Sequence, residues 1–178
     1  MGSVYSGLGN EEARELQAGT PFSTKEIHRL YRRFKQLDHE GSNALSTDSF
    51  LSIPGLALHP LVMRVVSVFD ESGDDSVDFK RFVKVMAIFH PKAPQEDKMK
   101  FLFQIFDVKG DGVVDREELF QVFKIMVGNT LSEDQMHQLV TRVLKECDLQ
   151  QNGKITFEEF KTVFADDETL WVSMSLQT

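Results

Sequence analysis

Asp148–Glu159 reads DLQQNGKITFEE and Asp107–Glu118 reads DVKGDGVVDREE. Both place Asp first, Gly sixth, an aliphatic residue eighth and Glu twelfth. Two further stretches keep the opening of this frame and lose its ending: Asp38–Ser49 (DHEGSNALSTDS) and Asp70–Arg81 (DESGDDSVDFKR). The eighth residue is apolar every time, Leu45, Val77, Val114 and Ile155. A pattern that recurs along the chain decides the architecture before any single motif does. Around each stretch the apolar residues fall at helical spacing. Leu30, Phe34 and Leu37 lead into the first, Val65, Val68 and Phe69 into the second, Phe103 and Phe106 into the third, and Val140, Val143 and Leu144 into the fourth. Helical patterns resume afterwards, as in Phe79, Phe82, Val83 and Met86, or Leu119, Phe120, Phe123 and Met126. Ser23 with Glu26, and Ser132 with Gln135, have the spacing of capping boxes that start helices. The chain therefore reads as helix–loop–helix four times over.

A twelve-residue loop of this composition is the calcium loop of the EF-hand. It offers oxygens from positions 1, 3, 5, 9 and 12 and from the carbonyl of position 7, with Gly at 6 for a sharp turn. Four such loops in one frame predict an all-α fold of two lobes, each a pair of EF-hands, with position 8 residues joined in short two-stranded pairings. His90-Pro91-Lys92-Ala93-Pro94 carries two prolines that interrupt any helix, so it separates the pairs. The expected organisation is an N-terminal segment over 1–20, an EF-hand pair over 21–90, a linker over 91–95, a second pair over 96–165 and a tail over 166–178.

The loops differ in their ligands. The fourth supplies Asp148, Gln150, Asn152, the Lys154 carbonyl, Thr156 and Glu159, so every oxygen position is filled with only two charged ligands. The third supplies Asp107, Asp111, the Val113 carbonyl, Asp115 and Glu118, but Lys109 stands at position 3, where an oxygen belongs. A water, with the Lys109 side chain swung outward, would complete that shell. The first offers Asp38, Glu40 and Ser42, with Asn43 in place of Gly and Ser49 in place of the closing Glu. The second offers Asp70, Ser72, Asp74 and Asp78, with Asp75 in place of Gly and Arg81 at the closing position. A guanidinium has no acceptor and stays charged, so Arg81 repels a cation. Losing the bidentate Glu removes two oxygens of the set. One or two Ca2+ are therefore expected, in the C-terminal pair.

Composition agrees. The 178 residues hold 28 Asp and Glu against 20 Lys and Arg, a net charge of -8. Sixteen of those acids and only five of those bases lie in the four loops, which leaves the remainder slightly basic. The charge thus sits where a cation would, and the balance excludes nucleic acid as a partner. A single cysteine, Cys147, excludes an intrachain disulfide or a multi-cysteine zinc site, and its place at a helix end suggests a buried structural thiol. The most apolar stretch, 54–69, is broken by His59, Pro60 and Arg64 and is too polar to span a bilayer. No apolar secretory leader opens the chain, so a cytoplasmic protein is expected. Neither HExxH, G-x-S-x-G nor a P-loop is present, and no enzymatic activity is expected.

Met1-Gly2-Ser3-Val4-Tyr5-Ser6 fits the N-myristoylation pattern, with Gly2 as the acceptor. One acyl chain supports only weak membrane association. Arg29, Arg32 and Arg33 share one face of the helix expected over 25–37, either as a lipid contact or as a solvated face.

Phe22–Phe34 (FSTKEIHRLYRRF), Ile53-Pro54, His59-Pro60-Leu61-Val62, Phe79-Lys80, Phe101–Asp107 (FLFQIFD) and above all Glu118–Asn129 (ELFQVFKIMVGN) resemble the calcineurin B family. Its members are regulatory subunits of a calcium-dependent Ser/Thr protein phosphatase. The resemblance covers nearly the whole chain. It implies a non-enzymatic subunit whose apolar groove clasps an amphipathic helix of the catalytic subunit, and the abundant Phe and Met suit such a groove. It also implies that Phe123, Met126, Val127, Gly128, Asn129 and Leu131 lie at the edge where family members meet substrate docking motifs and immunophilin–drug complexes. The family's loops are usually all calcium-competent, and two of these are not, so calcium control would be blunted. Calcineurin-B-homologous and calcineurin-B-like sensors, which bind ion exchangers or kinases, resemble the chain too. The short linker between the pairs favours calcineurin B proper over the homologous proteins.

Overall fold

The computed structural model describes residues 7–52, 60–70, 73 and 76–164, the side chains of 50 and 51 excepted. Gly2, Ser72, Asp74 and residues 165–178 lie outside the described residues. In chain order the elements are α1 (Asn10–Ala18), α2 (Thr24–Leu37), β1 (Ala44–Leu45), α3 (Thr47–Leu51), α4 (Val62–Phe69), β2 (Val77–Asp78) and α5 (Phe79–Ile88). There follow α6 (Gln95–Phe106), β3 (Val113–Asp115), α7 (Arg116–Val127), α8 (Glu133–Cys147), β4 (Lys154–Thr156) and α9 (Phe157–Phe164). Among the described residues the fold is mostly helical, with two two-stranded sheets, as the four-loop reading requires.

Local chemistry explains where the helices start and stop. At the start of α2, Glu26 N–H donates to Ser23 Oγ at 3.4 Å and Ser23 N–H donates to Glu26 Oε2 at 2.7 Å. The Ser132 and Gln135 pair opens α8 in the same way, at 3.3 and 2.9 Å. These reciprocal bonds satisfy N–H groups that have no partner inside the helix. The opposite ends are equally regular. α2, α6 and α8 each leave the helical conformation at Asp38, Asp107 and Asp148, with φ/ψ of -77/74, -71/81 and -79/85. The last residue of each of those helices is thus followed at once by loop position 1. At position 6 the backbone turns left-handed in loops one, three and four, at Asn43 (φ 60), Gly112 (φ 81) and Gly153 (φ 83). Asn tolerates this region better than other side-chain-bearing residues, which lets loop one turn without glycine.

The two sheets join the loops in the expected pairs. β1 and β2 run antiparallel with Leu45 opposite Val77, and β3 and β4 with Val114 opposite Ile155. These are the four position 8 residues, and each is at most 2% exposed. Their side chains anchor the inner ends of the loops to two apolar cores.

Two compact units result. The described parts of 7–52 and 69–93 form one, and those of 60–68 and 94–164 form the other. In the first unit Phe34 packs against Phe79 and Phe82 with ring centroids 5.3 and 5.6 Å apart, alongside buried Ile27 and Val83. In the second, Phe103 meets Phe157 and Phe160 at 5.6 and 5.5 Å, within a core that includes Met99, Val140, Leu144 and Cys147. Most of the phenylalanines therefore build cores. Among the described residues no helix is long and apolar enough to cross a membrane. α1 was not foreseen; its Ala13 and Leu16 are buried, and it packs on α2.

Candidate metal centres and partner edge

In loop three, Asp107, Asp111 and Glu118 each offer an oxygen within 4.8 Å of the others. The backbone holds them there. Asp107 accepts the N–H groups of Asp111 and Gly112 at 3.1 and 2.9 Å. Glu118, 1% exposed, accepts from Lys109 N–H at 2.8 Å and from Asp115 N–H at 2.9 Å. The closing carboxylate is thus fixed by main-chain bonds from loop positions 3 and 9. Asp115 in turn accepts the N–H groups of Glu117 and Glu118, so positions 9 and 12 form a capping box for α7. Both residues read as ligands in the sequence. Their second role, starting the helix, went unread there, although the D-x-x-E spacing signals it.

Lys109 does not swing outward. Its Nζ donates to Asp115 Oδ2 and lies 3.5 Å from Glu117 Oε2. The hydrogen bond from Lys109 holds the Asp115 carboxyl below its ordinary range, aided by the Glu118 and Glu117 N–H groups against the opposing effect of burial. The same contact raises the Lys109 ammonium. Asp115 therefore stands apart from the three gathered carboxylates.

Loop four repeats the frame with only two charged ligands, Asp148 and Glu159. Asp148 accepts from Asn152 and Gly153 N–H at 3.1 and 2.7 Å. Glu159, buried, accepts from Gln150 N–H at 2.9 Å and from Thr156 N–H and Oγ at 2.8 Å each. The Thr156 N–H bond does most to hold the Glu159 carboxyl low, against burial, with the Thr156 hydroxyl and Gln150 N–H adding to it. Asn152 Oδ1 accepts the N–H of Lys154, whose carbonyl is the position 7 donor. Neighbouring Glu158, by contrast, is exposed. The donors in loops three and four are all oxygens, from carboxylates, amides and carbonyls, which suits a hard cation such as Ca2+ and not a thiophilic metal.

Loops one and two lack that set. Asp38, buried, accepts from Ser42 and Asn43 N–H at 2.9 Å each and from Lys35 Nζ at 3.2 Å. Burial pushes the Asp38 carboxyl up, but the Asn43 N–H, the Lys35 ammonium and the Ser42 N–H outweigh it and hold it low. Lys35 Nζ also donates to Asn43 Oδ1 at 2.9 Å. At the closing position, Ser49 exchanges a hydroxyl bond with Ser46 at 3.2 Å. In loop two, Arg81 Nη1 donates to the Ser76 carbonyl at 3.3 Å, the position 7 oxygen. The closing residue thus occupies a ligand atom in place of supplying two. Asp70 follows α4 directly, while Ser72 and Asp74 lie outside the described residues.

The expected partner edge divides in two. Phe123 faces inward, 5.9 Å from Phe106 and packed on the core. Met126 is 44% exposed, next to Ile125 at 45%, a residue not singled out from the sequence. Gly128 closes α7 with φ 56, its N–H bonded to Lys124 O at 2.9 Å. Gly128, Asn129 and Leu131 border a cavity of about 170 Å³ together with Phe120, Lys124 and Met136. Val127 is half-buried at the end of the same helix. Cys147 is buried, and burial pushes its thiol up, as suits an inert structural residue.

Residues 96–165 match the family model of an EF-hand domain pair. The calcineurin B of Naegleria gruberi is 48% identical over 168 residues, covering 94% of this chain and 95% of its own. Calcineurin B type 1 of Dictyostelium discoideum is 43% identical, covering 99% of this chain and 98% of its own. Human calcineurin B type 2 is 45% identical over 90% of this chain and 95% of its own. Near-complete coverage at these identities, on paired oxygen-lined loops, shows that the chain belongs to the calcineurin B family of calcium-binding, non-catalytic EF-hand proteins.

Proposed function

We propose that the chain is the regulatory subunit of a calcineurin-type Ser/Thr protein phosphatase and that it clasps an amphipathic helix of the catalytic subunit. What carries this reading is the near full-length likeness to calcineurin B proteins, with 48% identity over 168 residues to that of Naegleria gruberi. The exposed Ile125 and Met126 support an apolar docking edge near the end of α7. Substrate docking motifs or immunophilin–drug complexes would meet that same edge.

Calcium would be held by Asp107, Asp111, the Val113 carbonyl, Asp115 and Glu118 in loop three. In loop four it would be held by Asp148, Gln150, Asn152, the Lys154 carbonyl and Glu159. One or two ions per chain follow, both in the C-terminal pair. In loop three, Asp107, Asp111 and Glu118 already hold their oxygens within 4.8 Å of one another, where a bound divalent cation would offset their mutual repulsion. Loops one and two serve as metal-free folding units, because Lys35 engages Asp38 and Arg81 engages the Ser76 carbonyl. The N-terminal pair then acts as a scaffold, and calcium control lies in the C-terminal pair. Gly2 would carry myristate and give a cytoplasmic protein weak membrane association.

The test is affinity capture of the full chain from its native cell, with mass spectrometry of what it retains. Recovery of a phosphatase catalytic chain is expected. Recovery of an ion exchanger or a kinase without any phosphatase would overturn the reading in favour of a calcineurin-B-homologous or calcineurin-B-like sensor.

A further inference from the structure

Lys109 breaks the ligand pattern of loop three, yet its side chain stays on the loop. Its Nζ bonds Asp115 Oδ2 and lies near Glu117, while its own N–H donates to Glu118 Oε1. Position 3 is thereby tied to positions 9, 11 and 12 at once. The other oxygen of Asp115 accepts the N–H groups of Glu117 and Glu118. Both oxygens of the position 9 carboxylate are thus engaged, one by the helix start and one by the ammonium. In loop four the corresponding residues are Gln150 and Thr156, which carry no charge for such a tie.

We propose that Lys109 is a tethered counter-cation of loop three, closing the loop across Asp115 without metal and holding that carboxylate back from an incoming ion. This rests on the reading of loop three as a calcium site. Three carboxylates within 4.8 Å repel one another, and an ammonium attached to the same loop relieves part of that repulsion. The same ammonium lowers the negative charge that attracts a divalent cation, and ligand charge sets affinity in these loops. Asp115 must release Lys109 before it can turn toward an ion. The residue therefore has opposite effects in two states: it stabilises the metal-free loop and weakens the loaded one. A lysine that only obstructed entry would change affinity alone, and a merely structural one would change stability alone.

The experiment compares the full chain with K109M and K109R by amide NMR during titration with calcium chloride. Met keeps the apolar stem and brings no oxygen to position 3, unlike the Gln found there in loop four. The amides of Gly112 and Gly153 report loops three and four. For K109M the Gly112 midpoint is expected to fall about tenfold, the scale on which ligand charge tunes these sites. The Gly153 midpoint moves less. In metal-free K109M the amides of β3 exchange with solvent several-fold faster than in the wild-type chain, whereas K109R keeps wild-type behaviour in both measurements. An unchanged Gly112 midpoint in K109M, or unchanged β3 exchange, would overturn the role of Lys109 and leave the calcium reading standing. If calcium shifts neither glycine in either chain, both fall.

Discussion

Replacing Arg64 with Met should loosen the helix that leads into loop three. The last carbonyls of an α-helix have no partner within it. At the end of α6 they are met by Arg64, which lies 40 residues earlier in the chain as measured from Gln104. Its Nη2 donates to Gln104 O at 2.8 Å and, more weakly, to Asp107 O at 3.3 Å, and its Nε donates to Ile105 O at 3.1 Å. Burial disfavours the charged guanidinium, while Asp107 and Glu118 favour it. A hydrogen bond from an ionised donor contributes about 1.5–3 kcal/mol when well buried, and a cation at a helix C-terminus about 0.3–1 kcal/mol. Arg64 is half-buried, so water replaces part of what is lost, and about 2 kcal/mol is the expected net cost. Met retains the apolar stem and isolates the polar contribution. The assay is hydrogen exchange of the last-turn amides of α6 in the metal-free chain, where about 2 kcal/mol appears as roughly thirtyfold faster exchange. R64K keeps the charge but not the fork, and should recover no more than about half. Exchange in R64M within about twofold of wild type, or full recovery by R64K, would refute the reasoning.

Ile155→Ala empties a position 2% exposed, opposite Val114, and should cost about 3 kcal/mol in urea unfolding while weakening calcium binding by both C-terminal loops. Glu26 is held low by the Ser23 hydroxyl, and next by the Ser23 N–H. A depressed carboxyl contributes stability above its unfolded value and loses it as pH falls through the folded one. The advantage of wild type over E26Q in unfolding experiments should therefore be present at neutral pH and vanish in acid. Arg81→Glu removes the donor on the Ser76 carbonyl and restores a closing carboxylate, so calorimetry should detect a calcium site gained in loop two.

The features legible in the sequence are those set by neighbours along the chain. Position 8 residues had to pair because they are apolar at a fixed place in a repeated frame, and Leu45 with Val77 and Val114 with Ile155 do so. Ser23 and Ser132 started helices because their partners sit three residues on. The rest depended on contacts that spacing does not encode. The short, mostly polar α1 holds its place through Ala13 and Leu16 against α2, a tertiary contact with a weak local signal. Arg64 broke an apolar run in the sequence and gave no hint that its guanidinium would close α6. Lys109 had a charge to place and two directions open to it. A bond to Asp115 in the loop prevailed over solvent because both partners are charged and six residues apart across the turn.

The most direct test is isothermal calorimetric titration of the full chain with calcium, for wild type and for the double variant E118Q/E159Q. Gln serves as the third residue of a capping box, as Gln135 does in α8, so the variant keeps its helix starts while losing both closing carboxylates. One or two ions per wild-type chain and none in the double variant are predicted. An undiminished stoichiometry in E118Q/E159Q would place the calcium in the N-terminal loops and contradict the assignment.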